Sequence, residues 1–446
     1  MKLLEDLSNS VIEASQIDKN LFDKYNVKRG LRNQDHSGVL VGLTKVGDVV
    51  GYKKENGKIV PAEGELYYRG IELSDLVQGY QTDGRHGYDE AAFLLLTGRL
   101  PKKGELEEFS NYMATLRELP SYFTKNSILS LRGKDIMNML ARSVLVLYTL
   151  DPHPEDFSPY NLLHQSLTLI SKFPTIIAYA FHGMRHSFQR KSLIIRHPRE
   201  ELSTAENFLY MLKGEDYTQL EADILDLAMV LHAEHGGGNN SSFTTRVVSS
   251  SGTDTYSAIA ASLGSLKGPL HGGANLRVMD MMDDIKANVS DWSNEQEVKE
   301  YLMKILRKEA NDGSGKIYGI GHAVYTLSDP RAVLLKQKAR ELAKEKGKLE
   351  EFNLFASIER LAPEVFHEFK GDDSKVVSAN VDFYSGFVYS CINISREIFT
   401  PLFAMARISG WCAHRMEELL FSARRIIRPA YKNVSPTYKY IPLEER

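Results

Sequence analysis

The stretch Thr218-Gln219-Leu220-Glu221-Ala222-Asp223-Ile224-Leu225-Asp226-Leu227-Ala228-Met229-Val230-Leu231-His232-Ala233-Glu234-His235-Gly236 decides the fold class. Leu220, Ile224, Leu227, Ala228 and Leu231 recur at spacings of four, three, one and three, the period of an amphipathic helix. Thr218 and Glu221 form a capping-box pair at its start. His235 continues the stripe of Ile224, Ala228 and Leu231. It therefore falls on the inner face at the helix C-terminus, where the dipole favours a cation.

The same period extends outward in both directions. Ser203 and Glu206 cap a helix from Glu206 to Leu212 that Gly214 ends, and Asp329-Pro330 reads as N-cap and N1 of a helix running toward Lys346 and Gly347. Further helical stretches are Tyr88 to Thr97, Lys103 to Arg117, Ile136 to Leu150, Tyr160 to Ala180, Tyr256 to Leu266, Glu295 to Glu309 and Phe399 to Leu420. The exception is Gly38 to Gly70. There Val39 to Val41 is a short apolar run, and Asn56-Gly57 is a hairpin signal. The chain reads as mainly α, with a small β-hairpin region near its N-terminus. No fixed-period repeat or Pro/Ser-rich linker appears, so a second domain is expected as an excursion folded back on the first.

Composition narrows the function classes. The 446 residues hold 55 basic against 58 acidic side chains, which argues against a dedicated nucleic-acid binder. Hydrophobic residues at 43% exclude a disordered chain. Cys391 and Cys412 are far apart and outside any CxxC spacing, as expected in a reducing cytoplasm. No apolar run approaches the ~20 residues that span a bilayer, and acids at Glu5 and Asp6 are unlike a signal peptide, so no membrane partner is expected.

Two nucleotide motifs fail on their own terms. Gly313-Ser314-Gly315-Lys316 lacks the first P-loop glycine, since residue 310 is alanine, and Ile317 stands where a magnesium-holding hydroxyl belongs. Gly319-x-Gly321 is followed by Val324 at the third glycine position of a dinucleotide loop. His182 and His186 share a helix face without an evident third ligand, so no metal site is expected.

Three glycine-flanked histidine segments remain: His232-Ala233-Glu234-His235-Gly236, Gly268-Pro269-Leu270-His271-Gly272-Gly273-Ala274-Asn275 and Gly319-Ile320-Gly321-His322-Ala323-Val324-Tyr325. Glycine beside a histidine exposes backbone and admits a ligand closely. A fourth segment, Asn380-Val381-Asp382-Phe383-Tyr384-Ser385-Gly386, puts one carboxylate in an apolar setting, where desolvation raises its pKa. Any one of these alone reads as structural. Together they read as a site.

In this order and separation the segments resemble the citrate synthase family. So do Phe403-Ala404-Met405-Ala406-Arg407, Gly410-Trp411, His414 and Ile427-Arg428-Pro429, and the similarity covers the chain from about Glu65 onward. The resemblance implies a two-domain helical fold, with a large domain of residues 1–275 and 385–446 and a small, mobile, CoA-binding domain of residues 276–384. It implies an acyltransferase of the tricarboxylic acid cycle that condenses acetyl-CoA with oxaloacetate and water. It further implies a homodimer whose subunits share active sites, and no permanently bound cofactor.

Residue by residue, the resemblance makes Asp382 the base. His271 donates to the thioester oxygen, and His322 polarises and protonates the oxaloacetate carbonyl. His235, Arg331, Arg407 and Arg428 hold oxaloacetate, with Arg428 reaching in from the other subunit. Gly319 and Gly321 lie in the loop that packs on CoA. The chemistry supports these residue types. An aspartate cannot take a thioester α-proton unless the enolate is stabilised as it forms, and a neutral histidine is a suitable donor. A dicarboxylate is best gripped by planar arginine forks.

The sequence departs from the family pattern at Gly236, where many relatives carry glutamate. It departs again at Ala323 and Thr326, one of which is basic in relatives and helps hold CoA phosphates. Lys336, Lys338 and Arg340 follow, and read as a solvated helix face. Propionyl-CoA in place of acetyl-CoA, giving 2-methylcitrate, is the nearest alternative. A non-catalytic acyl-CoA-binding relative and a metal-dependent hydrolase are alternatives from other classes.

Overall fold

The computed structural model describes residues 2–33, 37–55, 58–371 and 376–446. Among them are eighteen α-helices and one antiparallel sheet of β1 (Gly47–Glu55), β2 (Lys58–Tyr68) and β3 (Ile71–Glu72), in that order. The chain falls into two compact units, Leu43–Arg425 and Met1–Gly42 with Ile426–Arg446. The terminal unit holds a helix at Lys2–Ala14 and an extended tail. Its Leu4, Val11, Tyr431 and Tyr440 are exposed.

The larger unit is built around one helix, Phe399–Leu420, which is buried along nearly its whole length. Pro401 is tolerated because it stands in the first turn, where its missing N–H would have no partner. This helix packs on those at Pro159–Gln189, Gln219–His232, Asn240–Ser250 and Thr255–Lys267. At Gly410 a Cβ would come within 2.3 Å of Glu234 Oε2 and 2.5 Å of the Ala233 carbonyl, so only glycine lets the chain approach that closely.

The expected helices are present. Tyr88–Thr97 and Phe399–Leu420 have the expected bounds, and the expected Tyr160 to Ala180 stretch extends to Pro159–Gln189, running through Pro174. Ser203 and Glu206 form the full reciprocal capping box. At Thr218 only half forms: its hydroxyl takes the Glu221 N–H, while the Glu221 carboxylate pairs with Lys213 and Lys346. The hairpin lies where expected, with Glu55 paired to Lys58. Asn56 and Gly57 themselves lie outside the described residues. Val39 to Val41 is not a strand. Leu40 and Val41 are exposed, and without a burying partner an apolar run gains nothing by pairing.

The register of β1 and β2 slips around Gly51. The segment 324–328 seats at that irregularity. Gly51 and Gly64 have no room for a Cβ, which would meet Val324 O at 2.5 Å and Ser328 O at 2.3 Å. Thr326 Oγ1 donates to Gly51 O at 2.5 Å and accepts the Ala62 N–H at 3.0 Å, and Ser328 Oγ takes the Gly64 N–H at 3.1 Å. The hairpin thus clasps the segment that follows His322.

Candidate active site

The Gln219–His232 helix delivers His232 and, one turn beyond, Glu234 and His235 into a buried layer beneath Arg407. Arg407 is fully buried. Its Nε donates to His232 O at 2.5 Å, and its guanidinium lies 4.6 Å over the Phe403 ring. Its two terminal nitrogens have no hydrogen-bond partner among the described residues, nor do His235 Nε2, the Tyr325 hydroxyl or either ring nitrogen of His232. Buried donors left open in this way are costly, and several around one guanidinium are a ready-made anion clamp.

Burial drives the His232 and His235 rings well below the ordinary histidine value, and the Arg331 charge adds to it. Burial also pushes Arg407 down to about 10, against the pull of Glu234. Glu234 is fully buried. Desolvation works to raise its carboxyl, yet His414 and Arg407 hold it below its ordinary range. His414 Nε2 donates to Glu234 Oε1 at 2.8 Å, and His414 Nδ1 accepts from Arg246 Nη2 at 2.7 Å. Gly236 has φ +80 and lies 3.1 Å from Val49 at its would-be Cβ, so a glutamate there would be strained.

His271 follows the helix Thr255–Lys267 on a tight turn, its N–H donating to Gly268 O at 2.9 Å. Its Nε2 accepts the backbone N–H of Ser241 at 3.3 Å and lies 3.0 Å from the Ser241 hydroxyl. A backbone N–H can only donate, so Nε2 is the lone-pair nitrogen and Nδ1 carries the proton. Ser241 stands in the first turn of Asn240–Ser250, where N–H groups have no helical acceptor and the dipole is positive. Both features favour a neutral ring. Burial pushes His271 down to about 4, and the Arg407 charge adds to it. Trp411 Nε1 donates to the Ser241 hydroxyl at 3.1 Å, fixing the support.

His322 is arranged in the opposite sense. Its Nδ1 accepts the N–H groups of Val324 at 3.0 Å and Tyr325 at 3.1 Å, so Nε2 carries the proton. Its ring packs edge-on against His235, centroids 5.1 Å apart, and 4.8 Å from Tyr325. Arg331 lies 5.6 Å over Tyr325 and makes a bidentate pair with Asp329 at 3.0 and 2.7 Å. Asp329 caps the following helix and also accepts the Val381 N–H at 3.3 Å.

A short two-stranded contact ties the His322 segment to Asp382. Gly321 N donates to Ser378 O at 2.7 Å, Asn380 N to Gly319 O at 2.9 Å, and Asn380 Nδ2 to Gly321 O at 2.9 Å. Gly319 needs its φ of +79 and its missing side chain, since a Cβ would meet Phe383 and Val278 at 2.8 Å. Asn380 then caps the Val381–Cys391 helix through the Asp382 N–H. Asp382 is half-buried. Burial pushes its carboxyl up to about 6, Arg331 and Arg407 opposing and Asp329 adding to it.

Arg407 is the common neighbour: its charge is felt by His232, His235, His271, Tyr325 and Asp382. Six of the residues singled out in the sequence lie in the larger unit, namely His235, His271, His322, Arg331, Asp382 and Arg407. Arg428 is exposed and belongs to the terminal unit. Ser241 and Arg246 were missed, and Glu234 and His414 were named without a role. Ser241 lies in the same segment as His235 and carries no local mark of its tie to His271. Thr326, read as a lost basic contact, points into the hairpin, while Lys336 pairs with Glu359 and Lys338 with Glu341. His182 Nε2 donates to Met211 O at 3.0 Å, and His186 Nδ1 to Lys191 O at 3.0 Å. Among the described residues no helix is long and apolar enough to cross a membrane.

The sequence profile "Citrate synthase, C-terminal domain" matches residues 35–430. Citrate synthase of Deinococcus radiodurans is 35% identical over 368 residues, 82% of this chain and 89% of the relative. 2-Methylcitrate synthase of Shewanella oneidensis is 31% identical over 386 residues, 85% of this chain and 92% of the relative. Citrate synthase of Thermoplasma acidophilum, solved as a ternary complex with carboxymethyl coenzyme A and oxaloacetate, superposes with a TM-score of 0.76 at 26% identity, covering 94% of this chain and 99% of that one.

Proposed function

The chain belongs to the citrate synthase family and is an enzyme of that type, and we propose that its site condenses acetyl-CoA with oxaloacetate and water to give citrate and CoA. The observation that carries the assignment of residues is the ring of unsatisfied donors around Arg407. A dicarboxylate satisfies them: the Arg407 fork takes one carboxylate, and Arg331 and His235 serve the other end. Arg428 completes the grip from the partner subunit of a homodimer. Its exposed setting on the tail supports this, as do the apolar side chains of the terminal unit, which a second copy would cover.

Asp382 removes a methyl proton from the thioester. A carboxylate raised to about 6 is a stronger base than an ordinary aspartate and is still ionised at neutral pH. The enolate oxygen forms against His271 Nδ1–H. A ring with so low a pKa stays neutral and donates without first carrying charge. Such a donor lowers the barrier by about 3–4 kcal/mol. His322 Nε2–H polarises the ketone of oxaloacetate and protonates its oxygen as the enolate carbon attacks. Water then cleaves the thioester.

The steps call for no resident cofactor. Residues 276–384 form the domain that closes over the thioester to keep water from the enolate, with Gly319 and Gly321 on the CoA-facing loop. The two buried, unpaired cysteines, Cys391 and Cys412, suit a cytoplasmic enzyme. The similarity to a 2-methylcitrate synthase favours one second reading, propionyl-CoA as the acyl donor, since a single methylene is worth only ~1–3 kcal/mol of discrimination.

The test mixes protein with oxaloacetate and either acetyl-CoA or propionyl-CoA and follows free CoA thiol. Thiol release that requires oxaloacetate is expected, with the higher kcat/KM for acetyl-CoA. Preference for propionyl-CoA would make the product 2-methylcitrate. No release with either thioester would leave only a binding protein.

A further inference from the structure

A cavity of about 490 Å³, lined by Glu118, Asp151, His164, Thr168, Lys172 and Tyr256, is not used by the chemistry above. His164, Thr168 and Lys172 are spaced by four along the Pro159–Gln189 helix and share one face. Lys172 Nζ donates to Leu116 O at 2.7 Å and Glu118 O at 2.6 Å. A neutral amine has two N–H groups and one lone pair. Two carbonyls that take both N–H groups leave the lone pair as the remaining direction. The Thr168 hydroxyl, one turn away, is buried without a hydrogen-bond partner among the described residues. His164 and Tyr256 are engaged elsewhere, with Tyr112 at 2.8 Å and Asp151 at 2.9 Å.

We propose that Lys172 is a self-acylation site, at which an acyl-CoA thioester transfers its acyl group to Nζ. The presence of that donor rests on the reading of the active site given above. The Nζ lone pair bonds to the thioester carbon, and the Thr168 O–H donates to the oxygen that becomes negative. The C–S bond then breaks and the sulfur leaves as CoA thiolate. The proton lost by nitrogen goes to solvent, leaving an amide and free CoA.

Burial supports this by pushing the Lys172 amine down from 10.5 to about 8, against the Glu118 charge. Asp151, His164 and Tyr256 are the other titratable groups facing it. At pH 8 the neutral fraction rises ~150-fold over an ordinary lysine, and a Brønsted slope like that of thiols returns ~15-fold of that, leaving a net gain of ~10-fold.

The full chain is incubated at pH 8 with acetyl-CoA and no oxaloacetate, and acetylation at each lysine is followed by peptide mass spectrometry. Lys172 is expected to react ~10-fold faster than exposed Lys103, and Thr168→Val to slow it severalfold. A Lys172 rate no higher than that of Lys103 overturns the proposal, and an unchanged rate in Thr168→Val overturns the part given to the hydroxyl. Asp382→Ala should acylate at the wild-type rate. Loss of acylation there would mean that the acyl group arrives by way of the active site, and would sink the cavity route. Failure of oxaloacetate-dependent thiol release together with rapid Lys172 acetylation would reject the synthase reading and leave this site standing.

Discussion

The His271 and His322 segments place neutral rings in one site by different means. His322 finds its partners locally, two and three residues on, in the N–H groups of its own turn. His271 finds its partner thirty residues away, at the start of another helix. The local arrangement occupies Nδ1 and so puts the proton on Nε2. The distant one fills Nε2 and leaves Nδ1–H. A histidine's proton is thus placed by whichever nitrogen the backbone occupies, and two glycine-flanked segments that look alike can present opposite edges.

The harshest break removes the base whose proton abstraction precedes the work of both histidines. Asp382→Ala is expected to lower kcat by at least ~1,000-fold while leaving the folded circular-dichroism spectrum unchanged, because no other carboxylate replaces the base. Near-wild-type turnover would end the assignment. His271→Ala separates the two arms: kcat should fall at least ~100-fold, with the KM for oxaloacetate nearly unchanged, since the lost donor faces the thioester. A rise in that KM matching the fall in kcat would place His271 on the wrong substrate.

The pH profile sharpens the contrast between base and donor. Asp382 must be ionised, so log kcat/KM should fall with unit slope as pH drops below about 6, while His271, held near 4, stays neutral through that window. A limb at the ordinary aspartate value would mean that Asp382 is not desolvated. The smallest effect is expected from Ser241→Ala. The backbone N–H that fixes the His271 tautomer survives, so kcat should drop less than ~10-fold, while the orphaned Trp411 N–H costs about 1–3 kcal/mol of stability in a denaturant titration.

These regions also show what could be read from the chain alone. The helix delivering His235 was visible because its stripe and Thr218 cap are local features, and Asp329-Pro330 announced the helix behind Arg331 for the same reason. Asp382 was visible as a carboxylate among apolar neighbours. Ser241 beneath His271, and the Glu234–His414–Arg246 chain behind Arg407, join residues 30 to 180 positions apart, and no local pattern encodes such contacts. What Thr326 does was not legible for a related reason: its hydroxyl is bonded to a hairpin more than 260 positions earlier, a contact that its departure from a basic residue does not announce.

The most direct test of the paired donors is ring-nitrogen NMR of the ¹⁵N-histidine-labelled protein at pH 7, with His271→Ala and His322→Ala used to assign the two rings. The arrangement requires two neutral imidazoles, His271 protonated at Nδ1 and His322 at Nε2. The same tautomer at both positions, or a charged His271, would contradict it.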